Sequence, residues 1–387
     1  MIENGFSYLA LLIMVASSLV YIEQRYKWRF FDYLPAVVII YFSVMMLSTL
    51  GVWDTKNIEI KSAYSSIKSN ILPAMIFLLL LHADLRQIKQ LGKKMLLTFL
   101  LATGSIALGF IGMFALFHRL FEPDAWRAFA ALCGSWMGGT ANMVAIQGAL
   151  NVPDSKMGYA LLIDSVNYSV YIMILLALVP LAHRFNHWSG ADTSSIDAVG
   201  EKLSLAKGRE PITFHSLFLL LGVALLVSAM SQIVAIYLPT NDFVTTNTWI
   251  VIIATVVGVS FAMTPFGKMA GSSELGNILL YTMVALIASR ANFTEMSQAP
   301  LYVVAGFVII AIHAILMISF AKLFKLDLFT LGVASLANIG GVASAPILAG
   351  AYSKALIPIG VLMAMMGYIL GTFGGLAVGK AMEMIGG

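Results

Sequence analysis

The stretch Gly134-Ser135-Trp136-Met137-Gly138-Gly139-Thr140-Ala141-Asn142 interrupts an apolar run, and Ser335-Leu336-Ala337-Asn338-Ile339-Gly340-Gly341-Val342-Ala343-Ser344 interrupts another. Both mix small residues, an amide and hydroxyls where hydrocarbon tolerates no unsatisfied polar group. Gly breaks a helix at little steric cost, and a broken helix frees amides and carbonyls that must face protein or a water-filled cavity. Interrupted hydrophobic segments at corresponding positions in two halves are the sequence mark of a secondary transporter's binding site.

The bulk properties agree with a membrane setting. Sixty per cent of residues are hydrophobic and 11% charged, with a mean hydropathy of +0.90, which excludes an ordinary soluble domain. Apolar runs of helix-spanning length recur along the chain, and the alternating short strands of a barrel are absent. Candidate spans run over 6–23, 34–52, 70–83, 95–117 and 157–181, then 216–237, 249–264, 275–290, 299–321 and 355–379. The two glycine segments, at 128–149 and 330–351, fall before the last span of each half. A polar stretch at 184–213 separates a membrane repeat at 1–183 from one at 214–387, with one amphipathic turn expected around Val199–Leu205. The first run starts Met1-Ile2-Glu3-Asn4 and reads as a retained helix rather than a signal peptide.

The halves read as repeats, because Gly138-Gly139 and Gly340-Gly341 stand 202 residues apart and the same offset superposes the flanking spans. If each glycine segment enters and leaves on one side, five crossings separate the segments and the repeats are inverted. With the N-terminus outside, the loops holding Arg25, Lys27, Arg86, Lys93, Lys94 and Arg184 are then cytoplasmic, as the positive-inside rule prefers. The expected fold is an all-α polytopic membrane protein of two inverted repeats, each about five transmembrane helices plus a re-entrant or broken glycine-rich segment.

Asp164 lies well inside the apolar run Leu161–Tyr168, and a carboxylate there marks an ion or proton path. Asn167 and Tyr168, three and four residues on, share its helix face. Ser135, Gly138, Gly139, Thr140, Asn142, Asn338, Gly340, Gly341 and Ser344 are the candidate solute-binding set; Asp164, Asn167 and Ser335 are the candidate ion-coupling set, with Asp164 as cation ligand. Amides and hydroxyls outnumber titratable groups in both motifs, which favours Na⁺ over H⁺ as coupling ion, and no other cofactor is expected. His82 and Asp84, and Arg290 and Asn292, read as helix-end anchors; His313 reads as hydrogen-bonded packing and Cys133 as a small packing residue.

Several activities are disfavoured. There is no GxGxxG after a strand, no GxxxxGK[ST], no HExxH and no GxSxG, so the chain is not read as an enzyme or an ATP-driven pump. Gly371-Thr372-Phe373-Gly374-Gly375 resembles a small-residue packing face. The net charge of +4 sits in short loops, which suits a lipid bilayer and not a nucleic acid.

At Gly134–Asn142, Asn338–Ser344, Asn151-Val152-Pro153-Asp154 and Leu161–Tyr168 the chain resembles the YjcL-like family of uncharacterised bacterial membrane proteins over nearly its full length. More distantly, its glycine segments resemble those of sodium–glutamate and sodium–citrate symporters. That resemblance implies inverted repeats, a mobile core moving elevator-fashion against a scaffold that forms a homodimer, and a place in the bacterial plasma (inner) membrane. The chain lacks the full glycine-rich signature of either symporter family, so their substrate-reading residues cannot be placed on it and the identity of the solute stays open. The expected function is ion-coupled transport of a small, anionic organic solute. A sodium/proton antiporter and a non-transport membrane protein are the alternatives.

Overall fold

The computed structural model describes residues 1–386 except 29, 34, 82, 84, 193–210, 296–297 and 354–355. His82, Asp84 and the turn expected around Val199–Leu205 lie outside the described residues. In the first half, α1 (Gly5–Tyr26), α2 (Ala36–Thr49), α3 (Ile58–Leu80) and α4 (Gly92–Phe117) are followed by α5 (Ala125–Gly138), α6 (Thr140–Ala149) and α7 (Met157–Leu178). A short helix, α8 (Ala182–Ser189), opens the polar stretch. The second half repeats the order: α9 (Phe214–Ala235), α10 (Thr246–Ala262), α11 (Ser272–Ala288), α12 (Ala299–Phe324), α13 (Leu328–Ile339), α14 (Gly341–Tyr352) and α15 (Ile357–Gly386).

All ten expected spans fall on helices. Among the described residues, seven helical runs are long and apolar enough to cross a membrane, while α2, α10 and α11 are apolar but shorter. Helix α3 begins at Ile58, a dozen residues before the apolar run that signals it. Its first turns carry Glu59, Lys61 and Ser65 on the outer side, while Ile60 and Tyr64, four apart, are buried on one face that Lys68 continues. Side chains set many of the starts: Asn4, Asn57 and Asp327 accept from the first amides of α1, α3 and α13, and Thr213 and Thr245 form capping boxes for α9 and α10.

Each glycine segment folds into a helical hairpin. Arms α5 and α6 lie side by side, because a Cβ on Gly134 would run into Ile146 and come within 3.3 Å of the Asn142 carbonyl. The hairpin's ends are held together by an ion pair between Glu122 and Lys156. Arms α13 and α14 do likewise: Gly332 faces Leu348, and the Phe329 and Tyr352 rings meet at 5.3 Å. Arms of 10–14 residues are only about 15–21 Å long, too short to cross a hydrocarbon core of about 30 Å.

The hairpins enter from opposite ends of the bundle. Lys94, at the start of α4, bonds Asp327 at the base of the second hairpin (3.0 Å). Glu122, just past the other end of the same helix, closes the base of the first. Helix α4, 26 residues long, therefore runs from one hairpin base to the other.

The packing divides the helices into two groups. In the first, α3 and α11 pack on each other and each carries the other half's outer helices: α3 meets α9 and α10, and α11 meets α1 and α2. In the second, α4 packs on α12, α7 on α12, and α15 on α4 and on α5. Exchanging the halves maps most of these pairings onto one another. Between the groups, α6 lies against α3 and α10, and α7 against α2.

Candidate functional site

The two glycine pairs divide their work in the same way. The second glycine of each pair makes the bend, with φ of 91° at Gly139 and 60° at Gly341. The first glycine of each pair permits a close approach, and the residue four further on fills the space a side chain would need. A Cβ on Gly138 would collide with Asn142 and the Gly367 carbonyl; one on Gly340 would collide with Ser344 and Tyr168. Asn142 and Ser344, like the glycines, are 202 residues apart. Each tip also stands against a tyrosine of a terminal helix: Tyr368 on α15 lies by Gly139, and Tyr168 on α7 by Gly340.

Helix α7 joins the two hairpins. Asp164 accepts hydrogen bonds from Ser135 Oγ (3.1 Å) and Trp136 Nε1 (3.0 Å), both on α5. One turn on, Tyr168 meets the second tip, and Tyr171 bonds Ser335 Oγ on α13 (2.6 Å). The spacing 164, 168, 171 puts all three on one face of the helix. Asp164 forms no ion pair among the described residues. Asp164, Thr140, Tyr168, Tyr368 and both Gly139 and Gly340 are half-buried, while their neighbours Ser135, Asn142, Asn338 and Ser344 are buried.

Among the described residues, one buried polar atom at the tips lacks a hydrogen-bond partner. Asn142 accepts from Thr372 Oγ1 at 2.6 Å, yet its Nδ2 is unpaired. Ser344 Oγ lies beside Tyr168, its hydrogen-bonding neighbour on α7. A buried polar group left unpaired costs about 1–3 kcal/mol, so such atoms mark places where a ligand or water completes the structure.

Other expected site residues are placed elsewhere. Asn167 turns away from Asp164 toward α12, donating to the Val303 carbonyl (3.1 Å) with its Oδ1 unpaired. Asn338 is fully engaged, accepting from Thr103 on α4 (2.8 Å) and donating to the Ala334 carbonyl (2.9 Å). Ser335 belongs to a buried chain. Ser105 donates to the Ala102 carbonyl, so His313 Nδ1–H donates to Ser105 (2.7 Å) and Nε2 accepts from Ser335 (2.6 Å), which accepts from Tyr171. His313 is hydrogen-bonded packing that ties α4, α7, α12 and α13 together. Arg290 bonds the Thr55 carbonyl (3.3 Å) and covers the Tyr64 ring, and Asn292 caps its own turn. Both anchor a helix end. Cys133 is buried against Met137.

The close packing of α5 on α15 comes from glycines at four-residue spacing. Gly134 and Gly138 meet Gly367, Gly371 and Gly375 at distances that admit no side chain. Gly371–Gly375 is therefore the packing face its composition suggests.

A further cluster joins the two helix groups. Asp154, past the first hairpin, pairs with Lys68 (3.1 Å) and accepts from Tyr64 (2.6 Å), both on α3, and from Gln147 on α6 (2.9 Å). A cavity of about 270 Å³ lies beside it, lined by Tyr64, Lys68, Gln147, Asn151 and Asn247. The sequence assigns no site role to Asp154, Tyr171, Thr103 or Thr372, because each lies near a helix end or among residues common in membrane helices.

A bundle of apolar helices with two helical hairpins meeting one carboxylate-bearing helix defines a multi-pass α-helical membrane protein. The chain belongs to the family described as protein of unknown function (DUF819), which matches residues 10–385. It is 24% identical over 372 residues to the uncharacterized membrane protein YjcL of Bacillus subtilis (strain 168), covering 93% of this chain and 92% of that protein.

Proposed function

We propose that this protein is an ion-coupled secondary active transporter of a small, anionic organic solute, with Na⁺ favoured over H⁺. The observation that carries the reading is the meeting of two opposed hairpins at one face of α7, where Asp164 stands without an ion-pair partner among the described residues. In this reading the hairpins are re-entrant, the halves are inverted repeats, and α4–α7 with α12–α15 form a core. The core moves elevator-fashion against a scaffold of α1–α3 and α9–α11, through which the protein forms a homodimer.

The solute sits between the tips. Asn142 Nδ2 supplies a hydrogen bond, with Thr140, Ser344 and the amides at the starts of α6 and α14 beside it. Helix N-termini favour an anion, which supports an anionic solute. Asp164 and hydroxyl oxygens bind the cation. A carboxylate at the membrane centre costs at least about 2.5–3.5 kcal/mol. Binding a cation offsets that charge, so a core carrying the anionic solute beside a bare Asp164 stays behind, while the empty core, its carboxylate held by Ser135 and Trp136, returns to close the cycle.

The test is thermal stability of the purified protein in Na⁺ against choline, across a panel of organic anions, followed by flux in proteoliposomes. A ligand that binds only the folded state raises its stability. The expected result is a solute-specific rise seen only with Na⁺. A flux driven by Na⁺ and pH without organic solute would instead assign sodium/proton exchange.

A further inference from the structure

A second cavity, of about 500 Å³, is enclosed by α7, α8, α12 and α13, and its lining includes no residue of α1–α3 or α9–α11. It therefore opens away from the contact between the two helix groups, toward the surroundings of the bundle. Its walls are Ile174, Leu175, Leu178, Met317, Ile318 and Leu331. At its deep end, Tyr171 and Ser335 bond each other, so they ask nothing of an occupant. At its rim stands Arg184, the one charged residue of the lining, exposed and without a carboxylate partner among the described residues. Trp188 shares the rim, with the Lys322 ammonium 5.2 Å from its ring centre and bonded to its carbonyl.

We infer that this cleft holds one anionic phospholipid, its phosphate at Arg184 and one acyl chain extending toward Ser335. The chemistry matches at each level. An apolar cleft with no unpaired polar atom at its end suits a hydrocarbon chain. The 13 residues from Tyr171 to Arg184 rise about 20 Å, somewhat more than one leaflet's half of a hydrocarbon core of about 30 Å. A Trp beside Lys and Arg is the side-chain set of the headgroup region, and a free guanidinium there recruits an anionic lipid over a zwitterionic one. Because Leu328, Leu331 and Gly332 of α13 form one wall, the lipid braces the first arm of the second hairpin.

The inference stands whichever solute is transported. Its test is the melting temperature of the full-length protein in detergent micelles containing phosphatidylglycerol or phosphatidylcholine, for the wild type, Arg184→Gln and Ala314→Phe. Phosphatidylglycerol is expected to raise the wild-type melting temperature by several degrees more than phosphatidylcholine. Arg184→Gln, at an exposed position, should erase that preference. Ala314→Phe, filling the cleft, should erase the gain from both lipids; if it fails to fold, Arg184→Gln alone decides. Equal effects of the two lipids on the wild type, or an undiminished preference in Arg184→Gln, would overturn the inference. So would inorganic phosphate alone reproducing the stabilisation.

Discussion

Asp164 concentrates the functional claim in one side chain, and an isosteric change isolates its charge. Asn at this position still accepts from Trp136 Nε1, and Ser135 can turn to accept from the new amide, so both bonds to α5 survive. Asp164→Asn is expected to retain helical content and basal melting temperature while losing its response to Na⁺. Circular dichroism and melting curves in Na⁺ and choline check this, and an unchanged Na⁺ response would remove Asp164 from the coupling role. This residue was legible from sequence because a carboxylate in an apolar run has no ordinary explanation. Tyr171, Ser105 and His313 were not legible as a network. Hydroxyls and single aromatics are unremarkable in membrane helices, and the partners here stand 164 residues apart for Tyr171 and Ser335 and 208 for Ser105 and His313. Only tertiary packing pairs them.

At the scale of elements, the hairpins show why paired glycines recur. One glycine per pair serves the bend and the other serves contact, and the two demands differ in how they punish substitution. Gly139 has φ 91° and ψ 173°, a region open essentially to Gly alone, so Gly139→Ala should cost about 1–3 kcal/mol. Gly341 has φ 60°, the left-handed region that Asn tolerates, and nothing lies within 4 Å of an added Cβ. Gly341→Asn should therefore cost less than Gly139→Ala, and ranking the melting temperatures of the two variants checks the order. The spacing of the pairs was readable from sequence, as was the break in each helix. That each break turns the chain back is not readable from sequence, because a kinked span and a hairpin share one hydropathy pattern. Gly134 against Ile146 and Phe329 against Tyr352 decide it, and these contacts depend on which way the arms leave the bend.

For the whole molecule, the transport reading requires the core to slide against the scaffold, and the boundary between them offers a direct test. At that boundary Asn247 on α10 donates to Asn151 Oδ1 beyond α6 (2.8 Å), and Thr248 donates to the Ala149 carbonyl (2.9 Å). The Lys68–Asp154 pair spans the same boundary. These contacts hold one relative position, and an elevator must break them in every cycle. The sequence contains one cysteine, buried Cys133, so Cys133→Ala provides a background for paired thiols. In that background, Asn151→Cys with Asn247→Cys, joined by a short bifunctional thiol reagent, should abolish flux while leaving the cation-dependent rise in melting temperature intact. A reducible reagent should restore flux on reduction. Binding and movement are thereby separated: the tips and Asp164 lie on one side of the cross-link, wholly within the core. Continued flux through the cross-linked protein would mean that the two helix groups do not need to move past each other, and the hairpins would then have to open on their own to pass a solute.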